Sequence, residues 1–191
     1  MTGIVANKLS CKGYTIINQN EDSGIELRTL TKPDLGLLHK WLNEPHLKPF
    51  YIDEPISLAE VSAKYAARIE GRDPCHCLIS FENGEPFGFI QWYLNSNFPD
   101  YGIETIGKNR GVSFDYFIGC MGHLGRGLGS TMLKRTIALV SDQIAHPDQS
   151  FFIGHQVDNS KAVQCTTRAG FKFERNFVED GKLSALYSRG S

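Results

Sequence analysis

Four glycines fall within eight residues at Gly122-His123-Leu124-Gly125-Arg126-Gly127-Leu128-Gly129, with Ser130 following. The segment separates a strand-like run, 111–118, from a stretch 127 to about 143 in which Leu128, Met132, Leu133, Ile137 and Val140 recur at helical spacing. A strand that enters a helix through such a turn narrows the possible folds more than any other feature of the chain. Backbone N–H groups freed of side chains can close on an anion, and the helix N-terminus adds about half a positive charge. Arg126 adds a guanidinium able to hold a phosphate bidentately. Two phosphate loops are excluded. A Walker loop needs lysine before the serine, where Gly129 stands. A dinucleotide fingerprint needs G-x-G-x-x-G, and the spacing is Gly125, Gly127, Gly129. A glycine-rich turn that binds nothing is the alternative.

Around this turn the chain alternates irregularly between strands and helices. Residues 25–30 show period two, as a strand with one wet face does. Thr31-Lys32-Pro33-Asp34 reads as a helix start, with Leu35, Leu38 and Leu42 as the apolar face and Pro45 as the stop. A loop with Pro49, Phe50, Tyr51 and Pro55 leads to a second capping box, Ser57-Leu58-Ala59-Glu60, opening a helix to about Glu70. Strands at 75–81 and 87–94 flank the turn Asn83-Gly84-Glu85-Pro86. Residues 95–110 form a long polar loop of a length that usually has a functional reason. A strand at 150–154, a helix capped by Asn159 and running to about Ala169, and strands at 171–178 and 183–187 complete the chain. This order predicts an α+β or α/β fold with a mixed, mostly antiparallel sheet flanked by helices, not a Rossmann sheet.

A length of 191 residues fits one domain, 25–191, preceded by an arm, 1–24, whose residues 14–17 are strand-like. Twenty lysines and arginines against 21 acids leave a formal charge of -1, which argues against a general binder of nucleic acid or membrane surfaces. No stretch approaches the ~20 apolar residues of a membrane span. The apolar start, 1–6, is too short for a signal peptide. Cys11, Cys75, Cys77, Cys120 and Cys165 are an odd, scattered set that fits reduced thiols, and the expected location is the cytoplasm. Cys75-His76-Cys77 has no second ligand pair at metal-site spacing, so no metal is expected and the two thiols read as core. Trp41 and Trp92 are assigned to core packing, and His123 to a solvated loop. Asp115 interrupts the apolar run 112–118, which asks for an explanation unless it is a surface-facing strand acid.

Taken in order, several motifs carry a family resemblance. They are Trp41-Leu42-Asn43, Asn83-Gly84-Glu85-Pro86 with Gly88, Gln91 and Tyr93, then Asp115 and Leu124-Gly125-Arg126-Gly127-Leu128-Gly129. Asn159, Ala162, Cys165, Ala169-Gly170-Phe171 and Asp180-Gly181 continue the series. From about residue 25 to 187 the chain resembles the GNAT superfamily of acetyl-CoA-dependent N-acetyltransferases, and within it the type-Ib aminoglycoside 6′-N-acetyltransferases. Leu124 stands where the general superfamily loop has glutamine or arginine, a departure shared with type Ib.

The resemblance implies a sheet splayed between strands 111–118 and 150–154, with the pantetheine arm of acetyl-CoA between them. Backbone groups of Tyr116, Phe117 and Ile118 would bond that arm. Leu124, Gly125, Arg126, Gly127, Leu128, Gly129 and Ser130 would hold the pyrophosphate, and Asn159 would assist. Asp115 matches the acid proposed as general base. Phe50, Tyr51, Tyr65, Asp100 and Asp180 would receive a small amine, a polycationic aminosugar, attacked directly in a ternary complex. Monomer and homodimer both stay open. Three departures stand out: Thr166 occupies the position of the tyrosine often used to protonate the leaving thiolate, Gly102-Ile103 replaces tandem tryptophans, and Gly154 replaces an acid. Two other readings follow: acylation of a siderophore hydroxamate precursor or other metabolite amine, or a coenzyme A-binding protein without catalysis.

Overall fold

The computed structural model describes residues 16–17, 24–51, 54–107, 110–143 and 150–190. A two-residue strand, β1 (Ile16–Ile17), pairs antiparallel with β2 (Ile25–Thr29). The rest of the expected arm, Tyr14 and Cys11 included, lies outside the described residues. In β2 the alternation buries Ile25 and Leu27. Thr31 and Asp34 then close a capping box over a 3-10 turn (Lys32–Asp34) that feeds α1 (Leu35–Leu42). Asp34 also receives both ends of the Arg28 guanidinium, at 2.9 and 2.7 Å. Burial works to raise the Asp34 carboxyl, but Arg28 and Thr31 outweigh it and hold the group below its ordinary value.

Asn43, just past α1, exchanges hydrogen bonds with Ile56 at 2.9 and 3.1 Å and so closes the base of the loop that carries Phe50 and Tyr51. The Ser57–Glu60 capping box starts α2 (Leu58–Ile69) as expected. β3 (His76–Glu82) and β4 (Glu85–Leu94) follow. Their turn is tighter than the sequence predicts: Asn83 and Gly84 alone make it, with φ of 51° and 81°, as a two-residue hairpin requires.

The polar stretch expected as a loop winds into helical turns instead, a 3-10 turn (Asn95–Asn97), α3 (Pro99–Tyr101) and a π turn (Gly102–Ile106). Asn95 is the reason. Fully buried, it donates from its side chain to Arg110 O at 2.9 Å and accepts from Ser113 Oγ at 2.7 Å, so the two ends of the segment are drawn together. β5 (Val112–Ile118), α4 (Leu128–Gln143), β6 (Ser150–Gln156), α5 (Ser160–Arg168), β7 (Lys172–Glu179) and β8 (Lys182–Gly190) complete the order.

Among the described residues, eight strands form one sheet in the order β1-β2-β3-β4-β5-β6-β8-β7. Every pairing is antiparallel except β5–β6, which is parallel and spans only Val112–Phe151 and Ser113–Phe152. This is the splayed, mostly antiparallel α+β sheet that the sequence predicts. Met132, Leu133, Ile137 and Val140 of α4 pack on one face, against Phe87, Ile90, Phe114 and Phe151. On the other face, Leu38, Trp41, Val61 and Tyr65 of α1 and α2 cover Cys75, Cys77, Ile79, Phe89 and Phe117. Burying each large apolar side chain contributes roughly 1.5–3 kcal/mol. Cys75, Cys77, Trp41 and Trp92 are core residues, as expected. Gly119 is indispensable to Trp41, since a Cβ there would lie 2.1 Å from the indole. Among the described residues, no helix is long and apolar enough to cross a membrane.

Candidate active site

Beyond Ser113 and Phe152, β5 and β6 diverge, and a cavity of about 1240 Å³ opens along the gap. Gly119 N donates to Phe87 O at 2.9 Å, which makes Ile118–Gly88 and Tyr116–Ile90 the pairs that do not exchange backbone bonds with β4. The N–H and C=O groups of Tyr116 and Ile118 therefore face the gap. Phe117, expected to share this role, cannot: the register commits its backbone to Phe89, and its ring stacks on Phe89 at 5.3 Å. The Ile118 carbonyl accepts from His46 Nε2 at 2.8 Å.

The glycine turn borders the other end of the gap. Gly125 and Gly127 have φ of 75° and 80°, and a Cβ at either would meet nothing within 4 Å, so glycine serves the backbone conformation there and not the space. Leu124, Gly125, Gly127, Leu128 and Gly129 line the cavity. Thr131 N donates to Gly127 O in the first turn of α4, which leaves the N–H groups at the helix start directed outward. Ser130 is buried and spends its hydroxyl on Gly127 O at 2.8 Å, bracing the loop rather than lining the cavity. Arg126 also departs from expectation. Its guanidinium grips Glu82 bidentately at 2.8 and 2.9 Å and lies off the cavity wall. His123, expected to be solvated, stacks on Phe87 at 5.7 Å and sits 3.5 Å from the same Glu82. Asn159 caps α5 by accepting from Ala162 N at 3.2 Å and faces the cavity.

Alternation along β5 puts Asp115 on the face of α1 and α2, also lining the cavity. Gln91 Nε2 donates to Asp115 Oδ2 at 2.7 Å, and Gln91 Oε1 accepts from Arg68 Nη1 at 2.8 Å. A guanidinium only donates, so Arg68 fixes which way the Gln91 amide points. Burial raises the Asp115 carboxyl above its ordinary value, against the opposing pull of Gln91, Arg68 and Lys64. A carboxylate so shifted accepts a proton more readily than an exposed one. Lys64 lies over the rings of Tyr51 and Tyr65, at 5.9 and 5.7 Å, and burial followed by the Arg68 charge lowers its affinity for a proton.

Of the expected acceptor residues, Phe50, Tyr51 and Asp180 line the cavity. Asp180 also makes the β7–β8 turn with Gly181, with φ of 49° and 75°, so the turn role and the cavity position coincide. Tyr65 does not reach the wall. It shares the inner face of α2 with Val61, is fully buried, and meets Phe89 edge-on at 5.7 Å. Asp100 is exposed on α3 and off the cavity, because the turn packs Tyr101 inward against Tyr93. His46, Lys64 and Arg68 were not anticipated. The i, i+4 spacing of Lys64 and Arg68 beside Tyr65 was the available signal for two of them; nothing in the sequence marks His46.

Thr166 is fully buried and off the cavity wall. His155 Nε2 lies 2.6 Å from its hydroxyl, and the Tyr116 hydroxyl 3.1 Å. Tyr116 and His155 both line the cavity, on the α4–α5 side of the sheet, and their rings meet edge-on at 5.8 Å across the diverging strands.

An open strand edge, a glycine turn at a helix start and a buried carboxylate on one cavity define a group-transfer site on a splayed sheet. The family model described as acetyltransferase (GNAT) domain matches residues 31–178, and the chain belongs to that family. Among curated relatives, the aminoglycoside N(6′)-acetyltransferases type 1 of Klebsiella pneumoniae and Serratia marcescens are each 29% identical over 173 residues, covering 86% of this chain and 82% of theirs. The fold matches the aminoglycoside acetyltransferase AAC(6′)-Ib solved with coenzyme A and kanamycin, with a TM-score of 0.76 at 23% identity over 87% of this chain and 94% of that one. It also matches a spermidine N-acetyltransferase from Vibrio cholerae solved with coenzyme A and spermine, with a TM-score of 0.69 at 21% identity, covering 88% and 96%.

Proposed function

We propose that this chain transfers the acetyl group of acetyl-CoA to a primary amine of an aminoglycoside-type aminosugar, by direct attack in a ternary complex. The observation that carries the reading is Asp115: a buried carboxylate with raised proton affinity, oriented by Gln91, on the same cavity as the glycine turn. The gap-facing backbone groups of Tyr116, the N–H of Ile118 and the start of α4 suit the amide-rich arm and pyrophosphate of coenzyme A. Asp115 takes the proton released as the amine attacks, directly or through a water. Glu179 and Asp180 supply further carboxylates on the cavity that Phe50 and Tyr51 also line. The 29% identity to aminoglycoside acetyltransferases supports the acceptor class.

Asp115→Asn keeps the shape and the Gln91 contact but removes the base. Thiol release from acetyl-CoA with kanamycin-type acceptors should fall at least about 100-fold in kcat, with little change in acetyl-CoA KM. An unchanged kcat removes Asp115 from the chemistry.

A second reading, an acceptor carrying its own anionic group such as a metabolite amine or hydroxamate precursor, is favoured by Lys64 and Arg68 on the same wall. Screening zwitterionic amines beside aminoglycosides separates the two. The second reading requires Lys64→Ala to raise KM for the zwitterions; the first requires it to leave KM for aminoglycosides equal or lower.

A further inference from the structure

Lys64 stands on α2 one turn ahead of Arg68, and its side chain is open to the cavity. Among the described residues, no carboxylate pairs with its amine. The amine hangs over two rings instead, 5.9 Å from the centre of Tyr51 and 5.7 Å from that of Tyr65. Tyr51 in turn meets Phe117 edge-on at 4.9 Å. Two contacts therefore link this amine to β5, the strand that carries Asp115 and borders the gap. Transfer to an external amine gives Lys64 no part; only an anionic acceptor would engage it.

The position changes what the amine can do. An ordinary lysine keeps its proton at neutral pH and has no lone pair to offer. Here the surrounding protein, and after it the Arg68 charge, weakens the hold on that proton, while Asp115 acts in the opposite sense. Desolvation and a neighbouring cation are the two conditions that activate a lysine as a nucleophile, and both meet at Lys64. Arg68 cannot stand in for it, because a guanidinium stays protonated and this one is engaged with Gln91 at 2.8 Å. Lys64 is also one of the cations whose charge reaches the Asp115 carboxylate. An acceptor bound for acetylation must bring its amine to the wall where Asp115 waits. The chain already supplies an amine there.

We propose that Lys64 is a self-modification site, taking the acetyl group from bound acetyl-CoA when no acceptor occupies the cavity; this rests on the acetyl-transfer reading above. The Nζ lone pair attacks the thioester carbonyl carbon. A nitrogen–carbon bond forms, the carbon–sulfur bond breaks, and its electron pair leaves with sulfur. Asp115 takes the proton that the nitrogen sheds and passes it through cavity water to the thiolate. One acetylated lysine and one free coenzyme A result, and nothing besides acetyl-CoA is consumed. The acetylated side chain carries no charge, so the α2 wall of the cavity passes from two cations to one, Arg68. Asp115, Glu179 and Asp180 are unaltered. The shift favours a cationic acceptor over one bearing its own anion, so the modification selects between the two acceptor classes considered above.

The test uses the full chain, free of acetyl-lysine at the outset, with acetyl-CoA and no added amine. Acetyl-CoA binding is scored separately by equilibrium dialysis. Peptide mass mapping should find a single acetyl group at Lys64, released thiol should match it, and the rate should not depend on protein concentration. Lys40 and Lys134, exposed and away from the cavity, serve as internal references. A short acetyl thioester without the nucleotide should acetylate Lys64 at least about tenfold more slowly than acetyl-CoA does, since only the bound donor is held in place. Asp115→Asn should slow acetylation of Lys64 by about 100-fold and leave the two reference lysines unchanged. Lys64 left unmodified in a protein that binds acetyl-CoA overturns the proposal and leaves the acetyl-transfer reading standing. Equal rates from the two thioesters, a rate that rises with protein concentration, or an unaltered rate in Asp115→Asn each overturn it as well. The wild-type arms decide the matter even where the variant does not fold. Failure to bind acetyl-CoA overturns the acetyl-transfer reading, and the proposal with it.

Discussion

Gln91 shows how a single uncharged residue sets the chemistry of a charged one. Its amide is oriented by Arg68 and stabilises the ionised form of Asp115, opposing the rise that burial imposes. Gln91→Leu removes that opposition, so the Asp115 carboxyl should rise further. As the solution is acidified, activity that depends on ionised Asp115 should then be lost at a higher pH than in wild type, so the acid limb of the kcat/KM profile should shift upward. A limb that stays in place would mean that Asp115 does not control it. Asp115 itself was legible in the sequence, because a carboxylate inside an apolar strand stands out. Its partners were not, since Arg68 reaches Gln91 across 23 residues and only the fold brings α2 over β4.

At the scale of elements, local chemistry explains what sequence reading captured. The capping boxes at Thr31–Asp34 and Ser57–Glu60 depend on residues three apart, and both formed as expected. The first is also tied to β2 through Arg28, which makes Asp34 a stability residue. Its folded-state proton affinity is depressed, so its contribution is present above the unfolded carboxylate range and lost as pH falls through the folded value. Asp34→Asn should therefore cost about 2–4 kcal/mol at neutral pH. In urea titrations the gap to wild type should close as the solution is acidified; a gap independent of pH would contradict the ion-pair account. The stretch 95–110 was misread as loop because its helical turns depend on Asn95 reaching Arg110 and Ser113, contacts without a periodic signature. The Arg126 partner was hidden for the same reason: Glu82 ends β3, 44 residues from the glycine turn.

Across the whole molecule, the order of elements pointed to a mixed, mostly antiparallel sheet, and the family resemblance supplied its splay. The crossovers through α4 and α5 set β6 beside β5 and β7 beyond β8. What joins the two parts of that sheet is slight, two residue pairs between β5 and β6. A ligand bridging the gap only in the folded state should stabilise it by about 2.7 kcal/mol at a hundredfold excess over Kd. For a domain of this size that corresponds to a rise in Tm of roughly 5–11 °C. Differential scanning with coenzyme A, and with adenosine alone as a control that cannot span the gap, measures it; equal shifts from both would contradict bridging. The gap has another consequence. Unpaired strand edges recruit stray strands, and proteins ordinarily confine them to the periphery, where charge or proline can blunt them. Here such an edge lies in the interior of the sheet, at Tyr116 and Ile118. The His46 bond to Ile118 caps one carbonyl of that edge, and the rings of Tyr116 and His155 stand across the opening, where an incoming strand would have to lie.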